Sequence, residues 1–206
     1  MRSNGTACFR DVLPLAVLGT DLIPQILKAG GDGLSMWSAA ASTGQEAYSM
    51  ALLVREHFPH VPNVTILGTD LSHSVIERAR RGRFTHADVN RGLPTTLLIR
   101  YFEQDGLEWE LSESIRRMVT FRQANLAQPL GAIPPMDVIF LRNVLIYFDA
   151  ATKRAVLGAM ARILKPGGVL FLGGPETTYG LDPSYERVPP SAPVRYRVPQ
   201  RGAPRL

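Results

Sequence analysis

The chain has 206 residues, 45% of them apolar and 20% charged. That is ordinary for a soluble globular protein and enough for one α/β domain with a real core. No apolar run approaches the roughly 20 residues of a membrane-spanning helix, and the opening MRSNGTACFRD lacks the apolar core of a secretory signal. The single cysteine, Cys8, excludes an internal disulfide framework and suits a reducing cytoplasm. A net charge of +5 permits an acidic partner. The basic residues are spread along the chain rather than gathered in one block, so no nucleic-acid partner is expected.

In chain order, a polar loop (Asn4 to Asp11) leads into a predicted helix from Leu13 to Lys28, with Leu15, Leu18, Leu22, Ile23, Ile26 and Leu27 at helical spacing. After the Gly30-Gly31-Asp32-Gly33 turn, LSMWSAAASTGQE (Leu34 to Glu46) reads as a strand, a tight turn of small residues and a helix start. That helix is predicted from Gly44 to about His57, where Pro59 and Pro62 break it. VTILGTD (Val64 to Asp70) is a buried-type strand ending in a carboxylate. Leu71 to Arg81 is a second helix, with Ser72 as N-cap and Glu77 placed to pair with Arg81. From Gly82 to Ile115 the pattern breaks into short apolar pieces among turns, which marks an inserted subdomain with a helix and a short hairpin. Met118 to Asn125 and Asp137 to Asn143 are the third and fourth core strands. Ala151 to Leu164 is an amphipathic helix, stopped by Lys165-Pro166-Gly167-Gly168, and Val169 to Gly173 is the fifth strand. Tyr185 to Val188 and Val194 to Val198 read as two short strands around a Pro-rich turn. Strands alternating with helices predict a parallel, doubly wound sheet, and the closing pair predicts an antiparallel edge.

Ligands of open α/β sheets bind at the carboxyl ends of the strands. The residues expected there are Ser38 to Gly44, Asp70, Asn125 with Leu126, and Arg142 to Tyr147. An acid, amides, hydroxyls and small side chains suit an adenosine with its ribose, the acid at the end of the second strand gripping hydroxyls. Neither GxGxxG nor GxxxxGK[ST] is present, which argues against a dinucleotide or a nucleoside triphosphate. The four histidines lack metal-ligand spacing.

WSAAASTGQEAYS, LGTDLS, FRQANL, LRNVLIYFD and LKPGGVLFLGG, in that order, resemble the chemotaxis receptor methyltransferases of the CheR type, from about Asn4 to about Tyr196. The resemblance implies a Rossmann-like class I methyltransferase fold: a doubly wound, mostly parallel sheet with an antiparallel edge strand and a small inserted β-subdomain (82–115) in one domain, 1–206. It implies S-adenosyl-L-methionine as cofactor, methyl-accepting chemoreceptors as protein substrate, and transfer to glutamate carboxylates in the cytoplasm. Matched by motif, Asn4, Thr6, Arg10, Glu46, Asp70, Asn125, Leu126, Arg142 and Asn143 contact the cofactor, while Arg10 and Tyr147 face the reaction. A carboxylate nucleophile, with a reference pKa near 4.3, needs no general base at neutral pH. Catalysis then reduces to positioning it, which suits a bidentate guanidinium such as Arg10. A monomer is expected, without metal, nucleic acid or membrane insertion.

The chain departs from the family's usual pattern in beginning at this opening loop, so its usual N-terminal helical domain is expected to be absent. Cys8-Phe9-Arg10 stands for Phe-Phe-Arg, and Gln45-Glu46-Ala47 for Glu-Glu-Pro. Two other readings compete. One is a non-catalytic adenosyl-ligand-binding module in a sensory complex. The other, ranked last, is a nucleic-acid or small-molecule methyltransferase, which lacks the Asn/Asp-Pro-Pro-Tyr motif and a stacking platform.

Overall fold

A computed structural model describes residues 12–30, 33–90, 92–189 and 193–199. Its elements in chain order begin with α1 (Val12–Val17) and α2 (Ile23–Lys28), then β1 (Leu34–Ala39), α3 (Gln45–His57), β2 (Val64–Asp70) and α4 (His73–Arg81). The insert holds β3 (Arg83–Thr85), α5 (His86–Val89), α6 (Thr95–Tyr101), β4 (Phe102–Asp105), β5 (Glu108–Leu111) and α7 (Glu113–Arg116). The chain then returns through β6 (Val119–Gln123), β7 (Met136–Leu141), α8 (Ala150–Ile163), β8 (Leu164–Leu172), β9 (Glu186–Arg187) and β10 (Arg195–Arg197).

Seven strands form the main sheet in the order β6-β2-β1-β7-β8-β10-β9. The first five are parallel, and β10 and β9 pair antiparallel at one edge. This is the Rossmann-like, doubly wound arrangement expected from the sequence. The central strands β1 and β7 and the second half of β8 are mostly apolar because helices cover both faces. Their side chains still alternate. Leu34, Met36, Val138, Phe140, Val169 and Phe171 enter one core with α3 and α4, while Trp37, Ala39, Ile139, Leu141, Leu170 and Leu172 enter a second core with α8. Residues 83–111 build a separate antiparallel sheet, β3-β5-β4, joined to the first core through Phe84, Phe102 and Leu111. Tyr48 on α3 is the bolt between them. Its ring meets Phe84 and Phe121 edge-on, and its buried hydroxyl donates to the Ala79 carbonyl at 2.8 Å. Burial pushes this phenol far above its ordinary pKa.

Several local expectations are corrected. The first helix is interrupted by a π turn, Leu18–Leu22, whose Gly19 lies against Leu53 of α3. A side chain there would start 3.1 Å from Leu53 Cδ1, a tight approach that the leucine side chain would have to yield to. Glu77 pairs with Arg80 rather than Arg81, and Arg80 also donates to the Phe121 carbonyl. The third and fourth core strands end at Gln123 and Leu141, two residues short of the expected ends. Lys165-Pro166-Gly167-Gly168 does not stand outside the sheet. It bulges from the start of β8, because Leu164 pairs with Met136 and Val169 with Val138, leaving four residues opposite one. Arg116, just before β6, reaches Glu110 at 3.1 Å and the Arg81 carbonyl at 3.1 Å.

Candidate active site at the carboxyl edge of the sheet

The chain runs outward in opposite directions from β1, to β2 and β6 on one side and to β7 and β8 on the other. The gap between the carboxyl ends of β1 and β7 is therefore the topological switch point, where α/β folds receive ligands. The segments leaving those ends hold unusual backbone. Ala40 (φ 148°), Ser42 (φ 49°) and Asn143 (φ 58°) are non-glycine residues in the region that favours glycine. Such residues cost about 1–3 kcal/mol each and persist where the surroundings impose them. Gly44 (φ 92°) starts α3 where a Cβ would meet Phe121 Cζ at 3.0 Å and Tyr48 Cε2 at 3.1 Å, so both dihedral and space require glycine.

Three carboxylates define the site. Glu46, in the first turn of α3, accepts from the Ser38 hydroxyl at 2.7 Å and pairs with Arg142 at 3.1 Å. It thus bridges β1 to the loop after β7. Asp70, at the end of β2, accepts the Ser42 N–H at 3.0 Å and the Ser72 N–H at 3.1 Å. It fixes the left-handed Ser42 turn. The cap of α4 is Ser72, whose hydroxyl accepts from Val75 N–H at 3.4 Å, so Asp70 does not serve as that cap.

The third carboxylate, Glu176, escaped the sequence reading. It is 6% exposed. Its Oε2 accepts from Asn143 N–H (2.9 Å) and Gly173 N–H (2.7 Å), and its Oε1 from Val144 N–H (2.9 Å) and Leu145 N–H (2.8 Å). The available signal was an acid three residues beyond the apolar run that ends at Gly173.

The other expected residues divide. Tyr147, on the 3-10 turn Leu145–Tyr147, is 76% exposed, so packing does not explain it. Asn125 leaves the sheet beside Asp70, where the Ala124 N–H donates to the Asp70 carbonyl at 2.9 Å. Its own Oδ1 accepts the Ala127 N–H at 3.0 Å. Leu126 packs against the second core. No hydrogen bond given by the described residues joins these two to Glu46 or Arg142. Leu71, which follows Asp70, is 62% exposed. Asn4, Thr6 and Arg10 lie outside the described residues.

Among the described residues named here, Glu46 and Asp70 accompany one guanidinium, Arg142, which pairs with Glu46, while the buried Glu176 gives its oxygens to backbone N–H groups. The set is rich in acceptors and anionic. It fits hydroxyls and a cationic ligand better than a phosphate, which donors and positive charge would hold. Among the described residues there is also no group of His, Cys, Asp and Glu able to hold a metal ion, and no helix long and apolar enough to cross a membrane.

Comparison with known proteins gives the family. Residues 4–191 match the model described as "CheR methyltransferase, SAM binding domain". Chemotaxis protein methyltransferase 1 of Pseudomonas aeruginosa is 40% identical over 206 residues, covering 96% of this chain and 75% of that protein. Chemotaxis protein methyltransferase Cher2 of Pseudomonas putida is 37% identical, with 96% and 74% covered, and a chemotaxis protein methyltransferase of Vibrio parahaemolyticus is 36% identical, with 96% and 74% covered. With a seven-stranded sheet, an acceptor-rich crevice at its switch point and these relatives, the chain belongs to the CheR methyltransferases and matches their S-adenosylmethionine-binding domain.

Proposed function

We propose that this chain transfers the methyl group of S-adenosylmethionine to glutamate side-chain carboxylates of methyl-accepting chemoreceptors, working in the cytoplasm as a monomer. The supporting observation is the Ser38–Glu46–Arg142 bridge across the switch point with Asp70 one strand away. In this reading Asp70 accepts from the ribose hydroxyls. Glu46, Arg142, Asn143, Asn125, Leu126 and, from the opening loop, Asn4, Thr6 and Arg10 complete the cofactor site.

The bound cofactor supplies a methyl on a sulfonium, a donor that needs no covalent enzyme intermediate. The chain's task is to orient the acceptor. Arg10 grips the substrate carboxylate through a bidentate guanidinium contact. Tyr147 presents its exposed hydroxyl as a hydrogen-bond donor to the same group. Too strong a grip would reduce the oxygen's nucleophilicity, so both groups orient the carboxylate in line without neutralising it. No proton moves, because the acceptor is already ionised at neutral pH.

The test is transfer of radiolabelled methyl from S-adenosylmethionine to membranes that contain a chemoreceptor. Label in the receptor band, released as volatile methanol by alkali, is expected of a glutamate ester. Alkali-stable label would move the acceptor to another atom. Cofactor binding with no label in any receptor would leave a binding module in place of an enzyme.

A further inference from the structure

We infer that Glu176 is a positioning residue for methyl transfer, a buried carboxylate that sets the backbone presenting Arg142, Asn143 and Tyr147. The inference rests on the proposed roles of those three residues. Its physical basis does not, because it is a property of the loop itself.

The segment 143–148 contains little regular structure: one left-handed residue, Asn143, followed by a single 3-10 turn. Its N–H groups need acceptors. Tyr147 N–H donates to the Val144 carbonyl at 3.1 Å and Phe148 N–H to the Leu145 carbonyl at 3.0 Å, as the turn itself provides. The first three N–H groups of the segment, of Asn143, Val144 and Leu145, all donate to Glu176. Consecutive N–H groups converging on one point form a concave anion site. Here the protein fills that site with its own side chain. The fourth donor, Gly173 N–H, together with the Glu176 N–H bond to the Gly173 carbonyl (2.9 Å), fixes the carboxylate from the β8 side. Glu176 therefore ties the end of β8 to the loop after β7. Three of its four donors belong to the other loop, so closing its own turn does not explain it.

The packing leaves no slack. A Cβ at Gly173 would stand 2.7 Å from Glu176 Oε2, 2.8 Å from Asn143 Oδ1 and 3.0 Å from Asn143 N. Bonds from N–H to a carboxylate are the strong kind. They act directly on the residue whose left-handed φ turns the chain between Arg142, which is bound to Glu46, and the turn carrying Tyr147.

The experiment uses the full chain with Glu176→Ala and Glu176→Gln. Alanine removes a CH₂–COO⁻ group, the size of acetate, and glutamine keeps the shape while turning an amide N–H₂ toward two N–H donors. Three quantities are measured: amide hydrogen exchange at 143–145, cofactor affinity by calorimetry, and kcat at saturating cofactor well below the unfolding midpoint. Misplacement of reacting groups by about 1 Å costs about 100-fold in rate, so kcat is expected to fall by about that factor in both variants. Loss of charge-assisted bonds behind Arg142 and Asn143 weakens cofactor binding by roughly tenfold. Exchange at 143–145 accelerates, and added acetate, but not chloride, restores protection and part of kcat in Glu176→Ala. Folded variants with wild-type kcat, or with unchanged exchange at 143–145, would overturn the inference. Wild-type protein that binds cofactor but methylates no receptor would instead overturn the functional reading, while the exchange and acetate results still judge the role of Glu176.

Discussion

The two ends of the parallel sheet use the same chemical device for different purposes. At the amino end, Asp137 is 8% exposed and its Oδ2 accepts the Ser35 N–H at 2.8 Å and the Lys165 ammonium at 2.8 Å. The bulge opposite Asp137 takes β8 out of register, and β1 pairs with β7 only from Met36 onward. The Asp137 carboxylate thus takes the Ser35 donor and a cation of the bulge into one ion-paired joint. At the carboxyl end, Asp70 and Glu176 accept backbone N–H groups from segments held at φ values that ordinary residues avoid. One end uses a carboxylate to close the sheet. The other uses carboxylates to hold loops open in a strained shape. The difference teaches where strain is tolerated: where a ligand needs backbone and side chains pointing outward.

The comparison breaks most sharply at Gly173. Gly173→Ala drives a methyl into Glu176 and Asn143, and methyl transfer should fall by about 100-fold or more. A calorimetric and kinetic titration that found wild-type values would mean the crowding relaxes freely. Asp70→Ala is expected to weaken cofactor binding by roughly 10- to 100-fold, the range for a bond to a charged group, and to loosen the Ser42 turn in amide exchange. Tyr147→Phe removes only a hydroxyl from a side chain 76% exposed. A drop in single-turnover rate of about tenfold, the worth of one orienting hydrogen bond, with unchanged affinity and unfolding midpoint is expected; an unchanged rate takes Tyr147 out of the mechanism.

The amino end should answer in the opposite currency. Asp137→Ala leaves the Ser35 N–H and Lys165 without their acceptor, which lowers stability by about 1–3 kcal/mol, with kcat and cofactor affinity of the folded protein unchanged. Denaturant unfolding alongside kinetics decides this, and a selective loss of kcat would erase the distinction between the ends. The smallest effect lies away from both ends, where the insert meets α3. Glu56 accepts from the Tyr101 hydroxyl at 2.6 Å and from Arg100 at 2.7 Å. The Tyr101 bond first, then Arg100, holds its pKa below the ordinary carboxylate value. A depressed folded pKa means the contribution is complete above the unfolded pKa, near 4.3, and is lost as pH falls through the lower folded value. Glu56→Gln should flatten that small acid limb of the stability profile; an identical profile in wild type and variant would show the contact to be inert.

The sequence by itself determined the strand–helix alternation and the mostly parallel sheet with its antiparallel edge, because buried strands read as apolar runs and their ends are punctuated by Gly, Asp and Asn. The acid ending VTILGTD and the small residues of SAAASTG were legible for the same reason: a strand end followed by a helix start has few physical uses. Tertiary structure alone decided the rest. Lys165-Pro166-Gly167-Gly168 reads as a stop from local turn chemistry, yet the chain keeps it as a bulge because Asp137 takes Lys165 into the sheet joint. The π turn at Leu18–Leu22 places Gly19 against Leu53, and Arg80 rather than Arg81 reaches across to the Phe121 carbonyl, contacts that the local pattern does not contain. Glu176 shows the limit most plainly. Its partners are 31 to 33 residues away in the chain for three of its four bonds; an acid just past an apolar run is its local cue, and that cue does not name donors that arrive only when β7 and β8 lie side by side.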